Sequence, residues 1–176
     1  MKIKTNEICL YGMLGAILFA FKFAMAFLPN IEPVSLLLII YTIVFGIKTI
    51  YPLIIYVLLE FLIYGFGFWS IAYLYIWLIL VIATIAIYKI TNNSMNTLLW
   101  ASVCGMFGLI FGLLYTPLYM ISGGFAFAIT WWVSGIPYDA IHCVANFILC
   151  AILFKPITNI LLKLYNTKLI KKETKL

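Results

Sequence analysis

Apolar residues run along this chain in long blocks separated by short punctuation of Pro, Gly, Asn and Lys. A helix needs about 20 mostly apolar residues to cross the hydrocarbon core of a bilayer. Six blocks approach that length, at about 7–28, 33–47, 50–66, 69–89, 97–120 and 137–155, the second and third being short. The pattern predicts an all-α integral membrane protein, a six-transmembrane-helix bundle forming a single domain over 1–176.

The breaks support this division. Pro29 and Pro33 bracket the first connection, and Pro52 stands where a third helix can begin. Gly65 and Gly67 mark the next connection, and Thr91 to Ser94 form a polar loop. Pro137 is placed as an early residue of the last span, with Ser134 as a cap. The stretch 121–136 carries Gly123, Gly124, Trp131, Trp132 and Gly135 without a charge. It is expected to be an extracytoplasmic loop with an interfacial or short helical part. The apolar run from Ile8 to Leu28 is too long for a signal-peptide core, so a retained first helix is expected. Residues 156–176 are expected to form a basic tail on the cytoplasmic surface.

Composition sharpens the class. Of 176 residues 66% are hydrophobic and 9% charged, against about 25% charged in soluble domains. That inventory cannot build a water-exposed surface, so lipid must be the main solvent. The net charge of +6 comes entirely from Lys on the basic side. These Lys stand at chain ends and in short loops, which points to topology and not to nucleic acid. The cysteines Cys9, Cys104, Cys143 and Cys150 lie inside apolar stretches with no CxxC spacing, so they are read as small buried residues without metal or redox chemistry.

Charge also orients the bundle. With six spans, Lys2, Lys4, Lys48, Lys89 and the group from Lys155 to Lys175 fall on one side, and the connections at 29–32, 67–68 and 121–136 hold no Lys. Cytoplasmic loops are rich in Lys and Arg. Both termini are therefore expected in the cytoplasm of a multi-pass protein of the cell membrane. Lys22 alone breaks the partition, and it lies inside a span.

Ionisable groups within a bilayer are costly and usually functional. Lys22, Glu32, Glu60, Asp139 and His142 all fall in the outer half under this topology. Asp139, His142 and Asn146 are spaced three and four apart, so they share one helical face. Trp69, Tyr73, Trp131, Trp132 and Tyr138 lie near the same level. The expected site is a pocket open to the outside, walled by aromatic rings. On its own, each aromatic could equally be an interfacial anchor, Asp139 a helix-start acid, Lys22 a snorkelling side chain, and His142 with Asn146 an interhelical hydrogen bond. On the first span Gly12, Ala16, Ala20 and Ala24 recur every four residues, making a smooth stripe for close helix approach, within the chain or to another subunit.

Taken together, the size, the span count, the Ala-rich first helix and the segments LPNIEPVSL (28–36) and GIPYDAIHCVAN (135–146) resemble the substrate-binding S components of energy-coupling factor (ECF) vitamin transporters. The resemblance covers nearly the whole chain, through loose motifs. It implies that Ala16 and Ala20, with Gly12 and Ala24, contact a transmembrane T subunit. It also implies that a vitamin-like ligand is bound from outside by residues drawn from Lys22, Asn30, Glu32, Glu60, Trp69, Tyr73, Trp131, Trp132, Tyr138, Asp139, His142 and Asn146. Two cytosolic ATPases would hydrolyse the ATP, since no Walker A sequence is present here. The chain itself is expected to bind no catalytic cofactor and to be no enzyme. A membrane protease of the CAAX type would need Arg, a Glu-Glu pair and a second His, all missing. A standalone transporter or channel is the alternative, although no inverted repeat is visible. The ligand itself stays open among thiamine, riboflavin, a pteridine, a deazapurine, a pyridine vitamin and cobalamin.

Overall fold

The computed structural model describes residues 5–166. These form α1 (Thr5–Ala24), α2 (Val34–Phe45), α3 (Ile50–Tyr64), α4 (Phe68–Ile90), α5 (Thr97–Leu109) and α6 (Phe111–Asn166), with a short 3-10 turn at Gly46–Thr49 and no strand among the described residues. Lys2, Lys4 and the basic residues from Lys168 onward lie outside the described residues.

Four stretches are long and apolar enough to cross a membrane: Thr5–Ala24, Val34–Tyr64, Phe68–Ile90 and Thr97–Asn166. The all-helical, multi-pass character therefore holds. Six separate spans do not emerge on length alone, because α2 has 12 residues and α3 has 15. Large apolar side chains such as Leu62, Ile82, Val144 and Ile152 stand exposed around the bundle, as they would in lipid.

Contacts fix the directions. Glu7 at the start of α1 pairs with Lys48 at 2.5 Å, and Lys22 near its end pairs with Glu60 at 2.8 Å. Helices α1 and α3 thus run parallel. Gly15 lets them approach, since a Cβ there would stand 2.7 Å from Ile55. α2 runs back between them in direction, from the Glu60 end to the Glu7 end, where Phe45 meets Tyr11. From Val34 to Thr42 every residue of α2 is buried, which marks it as the central helix. The chain reverses after α2 at Gly46, which takes φ 60°, a conformation suited to glycine.

Helix starts follow ordinary capping logic. At α4 the Ser70 hydroxyl accepts the Gly67 N–H at 3.1 Å. At α5 the Asn96 side chain accepts from the N–H groups of Leu98 and Leu99. Between them the expected polar loop is present, with Asn92 and Asn93 at positive φ.

The stretch 121–136 corrects the loop reading. α6 is helical throughout except at Gly124, where φ 81° and ψ 174° turn the chain back on itself. Its two arms then run antiparallel, with Tyr119 stacked on Trp131 at 4.0 Å between ring centroids. Gly123 and Gly135 both sit within helix. Ser134 is not a cap, since its hydroxyl donates to the Trp131 carbonyl. Pro137 and Pro156 both lie inside the helix. Asp139 is therefore far from a helix start, and no tail separates from α6 before Asn166.

The lower arm of this hairpin is held by glycine. A Cβ at Gly108 would stand 2.8 Å from the His142 backbone, and one at Gly105 would stand 3.2 Å from the Cys143 carbonyl. The Asp139 carboxylate accepts the Gly112 N–H at 3.0 Å. Of the cysteines, Cys104 and Cys150 are buried as expected, Cys143 is half-buried and Cys9 is exposed.

Candidate functional site

A cavity of about 520 Å³ opens at the end of the bundle that carries the connections 25–33 and 65–67. That volume lies in the range of small-molecule sites, roughly 300–1,000 Å³. Among the described lysines, Lys48, Lys89, Lys155 and Lys163 belong to the opposite half, and Lys22 alone reaches this cavity.

The floor is an ion pair with an aromatic seat. The Lys22 ammonium donates to Glu60 Oε2 at 2.8 Å and to the Tyr73 hydroxyl at 2.7 Å. It also lies 4.5 Å from the Tyr73 ring centroid and 5.9 Å from that of Tyr56. Glu60 is fully buried, about one turn before the end of α3, and a charge so enclosed requires such a partner. Its second oxygen, Oε1, has none.

The walls are aromatic. Trp69 meets Tyr73 edge-on at 5.3 Å, Tyr73 meets Trp77 at 5.6 Å, and Phe111 meets His142 at 4.9 Å. Tyr64, Trp69, Tyr73 and Phe111 border the cavity, with His142 beside Phe111. His142 is buried, and its Nε2 has no hydrogen-bond partner.

The mouth is the first connection. Met25, Ala26 and Leu28 to Ile31 line it, and half-buried Glu32 closes one side. Burial pushes the Glu32 carboxyl above its ordinary range; the Lys22 charge opposes that shift and Glu60 adds to it. Asn30 lines the mouth and donates to the Tyr138 carbonyl at 3.2 Å, tying this connection to α6.

Of the expected ligand contacts, the cavity gathers Lys22, Asn30, Glu32, Glu60, Trp69, Tyr73 and His142. The other five lie off its lining. Trp131 stacks on Tyr119, Trp132 is half-buried on the same arm, and the Tyr138 side chain is exposed. Asp139 caps the Gly112 N–H. Asn146 donates to the Ser35 hydroxyl at 3.2 Å and to the Cys104 carbonyl at 3.3 Å, joining α6 to α2 and α5. The face shared by Asp139, His142 and Asn146 is real, but a helix climbs along its length, so only His142 meets the cavity.

This gives a first test. Asn146→Ala removes two interhelical hydrogen bonds, each worth roughly 0.6–2 kcal/mol in a membrane bundle. We expect a lower thermal midpoint in detergent and ligand affinity within about twofold of wild type. A loss of affinity at unchanged midpoint would place Asn146 in the site after all.

Sequence reasoning missed Tyr64, Phe111 and the apolar rim of Met25, Ala26, Leu28, Pro29 and Ile31. Phe111, Tyr115 and Tyr119 recur every four residues, and Gly105, Gly108 and Gly112 follow at steps of three and four. Those two periodicities together signal an aromatic face beside a close helix contact. The chain matches no family model, no curated protein and no solved structure. Among the described residues no His, Cys, Asp and Glu cluster suits a metal ion.

The stripe on α1 points outward. Ala16, Ala20 and Ala24 are exposed, and a Cβ at Gly12 would meet nothing within 4 Å. Contacts within the chain use a different face, Tyr11, Leu14, Gly15 and Leu18.

Proposed function

We propose that the chain is the substrate-capture S subunit of an ECF-type importer in the cell membrane. It binds a vitamin-like small molecule from outside and delivers it with a T subunit and two cytosolic ATPases. The observation that carries this reading is the cavity itself, an aromatic-walled site with a buried ion pair, at the end of the bundle away from the other described lysines. A membrane-embedded charge pair that only stabilised the bundle would have no need of an open, half-polar cavity above it.

The reading includes a six-pass topology with both termini cytoplasmic. Support comes from the reversals inside the two longest apolar stretches, at Gly46–Thr49 and at Gly124. They divide four stretches into six legs, and the positive-inside rule then places the lysine-bearing end in the cytoplasm. Short α2 and α3 are accommodated because α2 is shielded from lipid by its neighbours. The outward stripe of small residues on α1 suits the T subunit.

The test is cellular uptake of a radiolabelled vitamin panel. Cells expressing the chain alone are expected to bind one compound at the surface. They should accumulate it only when an ECF coupling module, a T subunit with two ATPases, is co-expressed. Accumulation by the chain alone would make it a self-sufficient transporter. Within this assay Ala16→Trp and Ala20→Trp are expected to abolish accumulation, by at least tenfold, while binding stays unchanged. Equal loss of both would remove the docking role of α1.

A further inference from the structure

We infer that the cavity selects a planar organic monocation, a nitrogen heteroaromatic bearing one positive charge, with Glu32 as its counter-ion. The inference rests on the capture reading above and names its substrate class.

Charge balance comes first. Two carboxylates, Glu32 and Glu60, and one ammonium, Lys22, line the cavity. Lys22 is already committed to Glu60 at 2.8 Å. Among the described residues no ion pair or hydrogen bond engages the Glu32 carboxylate. Ionised, Glu32 leaves the cavity one negative charge in excess, half-buried at its mouth, and a cation beside it offsets the burial that raises its carboxyl.

Seat geometry comes second. A cation lies well over the face of an aromatic ring, and the cavity floor already holds one that way, with Lys22 at 4.5 Å from the Tyr73 centroid. Trp69 extends the same aromatic wall toward the mouth, its ring 5.3 Å from that of Tyr73. A flat cation against Trp69 and Tyr73 gains ring contact and faces Glu32. Two polar atoms of lining residues, Glu60 Oε1 and His142 Nε2, have no hydrogen-bond partner; the Glu60 oxygen suits ring substituents that carry N–H groups.

The other charge classes fare worse. An anion must break the Lys22–Glu60 pair to reach Lys22, the one cation among the described residues that line the cavity, and it passes Glu32 on the way. A neutral ligand leaves Glu32 covered and unpaired, which costs desolvation with no return.

The experiment is calorimetric titration of the full chain, purified in detergent, with six probes in three charge classes. The cationic probes are thiamine and 1-methylnicotinamide, the neutral ones riboflavin and nicotinamide, the anionic ones nicotinate and biotin. The tightest binder is expected to be cationic, by at least tenfold over every neutral or anionic probe. Glu32→Gln should weaken that cation at least tenfold, and Glu32→Lys should turn the preference toward an anionic probe. Glu32 lies in a connection outside the helices, and unchanged thermal midpoints will show that both variants are folded. A neutral or anionic tightest binder overturns the inference and leaves the capture reading standing, as does unaltered cation affinity in Glu32→Gln. If neither cationic probe binds, the inference is overturned, and the uptake assay above then decides the capture reading separately.

Discussion

Replacing Lys22 by Met is expected to destabilise the bundle by roughly 3–5 kcal/mol, the usual cost of leaving one member of a buried ion pair alone. Glu60 is the reason. It is fully buried, and among the described residues Lys22 is its hydrogen-bond donor, with 2.8 Å between Nζ and Oε2. Without that ammonium the carboxylate is left as a buried charge with no partner. The Tyr73 hydroxyl loses its donor in the same step. Removing both charges should recover much of the loss, because the penalty belongs to the orphaned charge and not to the absent attraction. Thermal midpoints of Lys22→Met, Glu60→Gln and the double variant in one detergent check this. A double variant no better than the worse single one would show that the pair contributes net attraction.

The second large effect is expected at the α5–α6 contact. Gly108→Leu should prevent the hairpin from closing, and Gly108→Ala should cost about 1–3 kcal/mol through overpacking. The atoms that a Cβ would meet are the His142 carbonyl at 2.8 Å and the Cys143 nitrogen at 2.9 Å. Both belong to a helix backbone, which cannot swing aside as a side chain can. Gly135→Ala is the control, since a Cβ there meets nothing within 4 Å, and Ala favours a helix over Gly by about 1 kcal/mol. Folded yield and thermal midpoint of the three variants separate a close-contact glycine from one that is merely helical. Equal behaviour of Gly108→Ala and Gly135→Ala would show that the two helices have room to part.

These two sites show how far the chain could be read without coordinates. The helical, lipid-facing character was legible because a bilayer demands long apolar runs, and the runs are there. The polar loop near Asn92 and the break near Gly65 were equally legible, since Asn and Gly at those places have local backbone reasons. Lys22, Glu32 and Glu60 could be placed in one zone because charges are few and each must be accounted for. That Lys22 pairs with Glu60 could not be read, because the pair depends on α1 and α3 running side by side in parallel. The stretch 121–136 was misread for a related reason. Its glycines suggested a loop, yet only Gly124 takes a conformation that breaks the helix, and stacking between Tyr119 and Trp131 holds the rest. The same blindness to neighbours put Asn146 beside the ligand. Its spacing from His142 gave the right face and said nothing of the height at which the cavity ends.

Site and fold are thus coupled through α1. One face of it packs on α3 and sends Lys22 into the cavity, while another presents small side chains outward. A ligand that presses on Lys22 and a partner that grips Ala16 and Ala20 would act on the same rigid helix about 30 Å long, at 1.5 Å per residue over its 20 residues.

The claim on which the rest depends is that the cavity holds one small molecule. Native mass spectrometry of the chain purified from cells, alongside its Trp69→Ala variant, tests it directly. The account predicts a single small-molecule adduct per wild-type chain, absent from Trp69→Ala at equal folded yield. A wild-type chain with no adduct, or the same adduct on both proteins, would contradict it.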